Sequence, residues 1–229
     1  DLLIAVGLDF VEPPIAADNV DGVPLVYAGT HGRVLLDVTV VRGKSGPMVT
    51  RYQLVPLEES LHQNREALSA INGHRLSVKE MGLREKLAYQ RPIPGGLKYV
   101  GLKTCLECHE QEEEECKDHE HGHAWKTLIE TGKKEKWPAT HYPECVSCHV
   151  VGYGEQSGFI SPEKTPDLLD VTCESCHGPG SAHSANEETK MPYSKPEPKV
   201  CMQCHNAEHS PGFDYEPYWK QIEHGQPEK

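Results

Sequence analysis

Four times in this chain two cysteines stand three positions apart with a histidine directly after the second. They are Cys105, Cys108 and His109; Cys145, Cys148 and His149; Cys173, Cys176 and His177; and Cys201, Cys204 and His205. Eight of the nine cysteines are used this way. Two thiols at this spacing lie on one side of a tight turn, where they can add to the two vinyl groups of a single porphyrin as thioethers. The next residue is then held under the ring, so its imidazole becomes the proximal iron ligand. The pattern is the attachment signature of c-type haem, and its repetition implies four covalently attached haem c groups. Zinc knuckles built from Cys-x-x-Cys pairs would not require a histidine after every second cysteine.

The elements that must carry these motifs divide the chain. The cysteines begin only at position 105. Before them, "PLVYAG", "RVLLDVTVVRG" and "MVTRYQLVPL" read as strands, rich in Val and Leu and bounded by Gly or Pro. From Leu57 to Gln90 charges interleave with Leu and Ala as in a helix, with a break at "NGH". "RPIPGG" at 91–96 marks a boundary. Beyond it, short helices and loops string the haem motifs together. "EQEEEECKDHEHGHAWKTLIETGKK" reads as one helix, acidic at its start and basic at its end as the macrodipole favours. "DYEPYWKQIEHG" reads as a short closing helix. The expected architecture is a small β-rich, α+β amino-terminal domain over 1–96. A mainly α and loop multihaem domain over 97–229 follows, organised around four haems.

Composition narrows the partners. A formal net charge of −12 disfavours nucleic acid and anionic membrane surfaces. Other redox proteins, basic or neutral, remain compatible. Apolar residues make up 37% of the 229, a small supply for a core, and four porphyrins would add the missing apolar bulk. No stretch approaches the roughly twenty apolar residues of a membrane span. Because thioether attachment takes place outside the cytoplasm, the chain is expected to be exported and to have lost a signal segment.

The chain has fourteen histidines, four of them proximal by this reading. If every iron carries two imidazoles, four more come from His31, His62, His74, His119, His121, His123, His141, His183, His209 and His224. His121 and His123 would point about 200° apart on a continuous helix, so they would serve two different haems. His183 follows a Gly-Pro-Gly turn that lets the chain fold away from one haem toward another. His141, four residues before a motif, could be a ligand or a surface residue. Cys116 is the odd thiol, read as buried and unreactive with an intermolecular bridge as the alternative, and the "EEEE" run before it as a solvated face.

"YVGLKTCLECH", "HGHAWKTL", "ECVSCHVVGYGEQSGF", "TPDLLDVTCESCHGPGSAH" and "PGFDYEPYWKQIEHG" together resemble tetrahaem cytochromes of the cytochrome c five-fifty-four type. The resemblance covers nearly all of 99–225 and keeps the order of motifs. It implies His123 and His183 as distal ligands, and suggests His121 and His224 as the other two. The family also includes members with one five-coordinate haem, so full bis-histidine ligation is what the resemblance implies here. The amino-terminal "DGVPLVYAGTHGRVLLDVTVV" resembles the closing strands of calcineurin-like metallophosphoesterases and 5′-nucleotidases. In those enzymes a strand ends in a metal-binding histidine. Here "AVGLDF" places Leu8 and Asp9 at that point, and His31 falls on a later strand, so this region reads as a non-catalytic remnant.

The function expected from these residues is electron transfer along closely spaced bis-histidine haems, with no catalytic residues. The alternative is a multihaem oxidoreductase with one open iron, acting on small nitrogen or sulfur compounds. Some tetrahaem chains of this general kind polymerise into extracellular wires. A head-to-tail homopolymer is therefore one expectation for assembly, and a soluble periplasmic shuttle is the other.

Overall fold

The computed structural model describes residues 2–5, 16–28, 34–44, 46–58, 60–206 and 209–224, except the side chains of 114–116. Leu8, Asp9, His31 and the Cys116 side chain lie outside the described residues. The chain forms two compact units, 1–64 and 65–229.

In the first unit, β1 (Leu3–Ala5) pairs in parallel with β3 (Val23–Tyr27), and β2 (Asp18–Val20) pairs antiparallel on β3's other edge. The β2–β3 turn is Asp21-Gly22, both at positive φ (51° and 84°), the pairing that two-residue hairpins favour. The Asn19 side chain closes it by accepting from the Gly22 N–H at 2.8 Å. A longer hairpin joins β4 (Val34–Gly43) to β5 (Gly46–Pro56), with a bulge at Thr39/Val40. The three Val- and Leu-rich segments are thus strands, as their composition predicts.

The second unit opens with α1 (Arg65–Glu80) and α2 (Leu83–Leu87), then β6 (Tyr89–Arg91). The expected break at Asn72-Gly73-His74 is absent, and α1 runs through it. A glycine in a helix interior costs only about 1 kcal/mol. Local packing offsets it: His74 meets Tyr142 edge-on and Arg75 lies 4.4 Å over the Trp137 ring. The break falls instead at Gly82, with φ 60°. The boundary expected at 96 is likewise displaced to 64/65. Tertiary bonds explain it: Arg84 donates to the Thr140 carbonyl at 3.1 Å, and the Tyr153 hydroxyl donates to the Arg84 carbonyl at 2.9 Å. These tie α2 to the cysteine-bearing segment.

The remaining elements are short: α3 (Leu102–Leu106), α4 (Glu112–Asp118), α5 (Ala124–Glu135), α6 (Pro143–Val146), β7 (Gly154–Glu155), α7 (Cys173–His177), α8 (Ser181–Ala185), α9 (Pro198–Cys201) and α10 (Tyr215–Ile222). β7 pairs with β6. Among the described residues of this unit a buried apolar cluster surrounds the second motif: Trp125 and Leu128 of α5 with Ala139, Val146, Val150, Val151, Phe159 and Leu168.

The single helix expected over 110–134 is two helices separated by a 3-10 turn at Glu120–His123. His119 is extended, with φ −89° and ψ 150°. A continuous helix would bond the Trp125 N–H to the His121 carbonyl. Here the Trp125 N–H donates to Asp170 Oδ1 at 2.8 Å, and the His121 carbonyl accepts from the Val171 N–H at 3.0 Å. The 170–171 segment has taken both partners of that helical bond. Asp170→Ala removes a charged acceptor and should destabilise the haem-loaded protein by about 1–3 kcal/mol, read as a lowered Tm.

Candidate haem site

Each motif is built on the end of a short helix. Cys105 lies in α3, Cys145 in α6, and Cys201 ends α9. In these three motifs the second cysteine's N–H donates back to the first cysteine's carbonyl, at 3.3, 3.3 and 3.1 Å. In the third motif all five residues lie in α7.

The imidazoles then meet in pairs. The ring centres of His109 and His183 are 6.2 Å apart, those of His121 and His205 5.9 Å, and those of His177 and His224 5.9 Å. Each pair joins a Cys-x-x-Cys-His histidine to one of the four distal candidates. Two imidazoles bonding one metal ion from opposite sides at about 2 Å each would put their ring centres about 6 Å apart. The ring nitrogens are oriented as well. The Nδ1 atoms of His177, His183 and His224 face the carbonyls of Tyr193, Thr189 and Ile222 at 2.9, 2.7 and 3.0 Å. His205 Nδ1 lies 3.1 Å from the Ser210 hydroxyl. The three carbonyl contacts, which can only accept, fix the Nδ1–H tautomer of His177, His183 and His224 and leave the Nε2 lone pair free for a metal. Burial pushes the imidazoles of His121, His177 and His205 below their ordinary pKa, favouring the neutral form that can bond iron.

His149 differs. Its Nδ1 lies 2.5 Å from the Ala124 carbonyl, at the start of α5. His123, the fourth distal candidate, directly precedes Ala124, and both imidazoles act electrostatically on Asp170. Among the described residues, no ring contact joins His123 to His149. The Asp170 carboxyl is pushed up by burial, against the opposing pull of the Trp125 N–H and these two histidines.

One cavity of about 740 Å³ is lined by the two cysteines and the histidine of both the first and the third motif, together with His183 and His224. The second and fourth motifs approach through their thiols. A hydrogen bond from Cys204 pulls the Cys148 thiol down to about 6, while Cys204 is pushed up. Among the described residues no group of three or more His, Cys, Asp or Glu side chains is arranged to hold a bare metal ion. Paired cysteines flanking opposed imidazoles fit a porphyrin iron instead. His119 lines the cavity without facing another imidazole within the described ring contacts. His141 sits beside Thr140, its pKa lowered by burial and by Arg84.

Two residues that the motifs do not announce shape the site. Asp170, at φ 67°, holds the start of α5. Glu174, inside the third motif, is 3% exposed and bonded to three backbone N–H groups. An acidic residue between two cysteines gives no sequence signal of burial.

Residues 104–178, which hold the first three motifs, match the family described as cytochrome c554 and c-prime. Cytochrome c-554 of Nitrosomonas europaea is 38% identical over 91 residues, which is 36% of this chain and 39% of that protein. The chain thus spans about two fifths of the length of the curated relative it matches. No solved structure matches it. These similarities support a c-type cytochrome of the c554 type over the matched part of the chain.

Proposed function

We propose that the chain is a tetrahaem electron carrier in which each Cys-x-x-Cys-His motif holds one haem c and each iron lies between two imidazoles. The observation that carries this reading is the set of three imidazole pairs at 5.9–6.2 Å, each joining a proximal histidine to a distal candidate. His109 is assigned to His183, His205 to His121, and His177 to His224. His123, the remaining distal candidate, is assigned to His149. Haem supplies the one-electron couple of its iron, and the protein supplies ligation, burial and spacing.

The spacing suits hopping. The first and third motifs share one cavity, and the thiols of the second and fourth are within hydrogen-bonding reach. Thioether sulfur sits on the porphyrin edge, so a contact between Cys148 and Cys204 would put two edges side by side. With both axial positions filled, no iron offers a place for substrate, and paired imidazoles favour low potentials. Among the described residues no helix is long and apolar enough to cross a membrane. The partners in this reading are other redox proteins in the periplasm or, for a head-to-tail polymer, further copies of the chain outside the cell. The amino-terminal strands serve as contact surface without phosphatase chemistry.

Electron paramagnetic resonance of the oxidised, haem-loaded protein tests the ligation. Four low-spin irons are expected. A high-spin signal matching one full iron would mean an open position, and would replace this reading with an oxidoreductase centred on the His149 haem.

A further inference from the structure

Glu174 occupies the first variable position of the third motif and, although a carboxylate, is only 3% exposed. Its carboxylate is held entirely by backbone donors in the described contacts. Oε1 accepts from Val100 N–H at 3.0 Å and Gly180 N–H at 2.7 Å. Oε2 accepts from Gly101 N–H at 2.8 Å and Val100 N–H at 3.1 Å. Among the described residues it has no cationic partner.

The donors are not scattered. Gly101 is the residue that starts α3, the helix leading through Cys105 to His109. Gly180 starts α8, the helix carrying His183. Glu174 itself lies in α7, which carries His177. One carboxylate therefore fixes the starting points of the segments that bear His109 and His183, the two imidazoles facing each other at 6.2 Å. The same two segments are stitched once more beside it. Ser181 N–H donates to the Lys98 carbonyl at 3.1 Å, and Lys98 N–H donates to Ser181 Oγ at 2.9 Å. Backbone geometry at both ends is committed to this arrangement. Gly101 has φ 86°, and a side chain there would run into Asp167 at 2.8 Å. Gly178, at φ 80°, turns the chain back so that Gly180 reaches the carboxylate.

We propose that Glu174 is the positioning residue of the first haem: it holds His183 at ligand distance from the iron bound by His109, and does so from inside the motif of a different haem. The proposal rests on the tetrahaem reading above. A buried carboxylate with charge-assisted bonds to three amides is a rigid clamp, because releasing any one of them leaves a buried donor unpaired. Its negative charge, unneutralised by a cation, also favours the ferric state of nearby iron. An amide in its place keeps one acceptor oxygen but turns an NH2 group toward backbone N–H groups, so at least one of the three tethers is lost.

The test uses the haem-loaded protein, with mass spectrometry first to show the same haem count in parent and variant. In Glu174→Gln the expected result is a change of ligation at one haem. The low-spin resonance of the first haem shifts or gives way to a high-spin signal, and its midpoint potential in a spectroelectrochemical titration rises most; the haem of the third motif, which contains Glu174, keeps its low-spin resonance and rises less, through the lost charge alone, while the other two stay put. Glu174→Asp keeps the charge but withdraws it by one methylene; a smaller change at the same haem is expected. Should Glu174→Gln fail to load haem, Glu174→Asp decides. Four unaltered low-spin signals and potentials in a loaded variant would overturn the clamp while leaving the tetrahaem reading intact. A parent chain without covalent haem would instead overturn that reading.

Discussion

Unfolded under denaturing conditions in a mass spectrometer, the protein should still carry four haem masses, and a chain with Cys201 and Cys204 both changed to serine should carry three. A thioether forms when the S–H of a cysteine adds across a vinyl C=C, and the resulting C–S bond survives loss of the fold. Noncovalent haem would be shed with the tertiary structure. The fourth motif suits this test because it stands outside the cluster of buried apolar residues around the second, so its loss should leave that cluster in place. Changing Cys116 to serine should leave all four haems, since it belongs to no Cys-x-x-Cys-His motif. A bare-chain mass, or stoichiometric zinc in the purified protein, would defeat the haem reading altogether.

The second large effect is expected at His183. Its ring centre lies 6.2 Å from that of His109, and its Nδ1 is engaged by the Thr189 carbonyl at 2.7 Å, which leaves Nε2 for iron. A thioether ligand favours ferrous iron more than imidazole does, so His183→Met should raise one haem's potential. A rise on the order of 0.1–0.3 V fits within the ~0.8 V that axial ligands span. The affected haem should be the one attached at Cys105 and Cys108, and its ferric absorption spectrum should change with the potential. Potentials and spectra identical to the parent at all four haems would refute the His109–His183 pairing. A shift assigned to the Cys173 and Cys176 haem would transfer His183 to that iron.

The two experiments probe different levels of the same design. Attachment is a local property: two thiols and an imidazole on one turn suffice. Distal ligation is non-local. His183 lies seventy-four positions from His109, and the separations of His121 from His205 and His177 from His224 are eighty-four and forty-seven. Only when α3, α7 and α8 converge on the Glu174 carboxylate do the first partners meet.

The sequence by itself determined the four Cys-x-x-Cys-His motifs, the confinement of every cysteine to the chain beyond position 104, and the three principal strands. These are short-range signals. Thiol spacing is set by one turn of backbone, and strand character by β-branched composition between turn residues. It also yielded the four distal candidates, through a resemblance rather than from spacing alone. The tertiary structure decided which proximal imidazole each of three of them faces. It decided that α1 passes through Gly73 unbroken, that α1 and α2 belong with the cysteine-bearing unit, and that the helix expected over 110–134 is interrupted. In each case groups far along the chain intervene. Arg75 stacks on Trp137, Tyr153 bonds the Arg84 carbonyl, and the 170–171 segment takes the Trp125 N–H and the His121 carbonyl from each other. Local pattern carries no record of those partners, because a hydrogen bond made across forty-five residues competes on equal terms with one made across four.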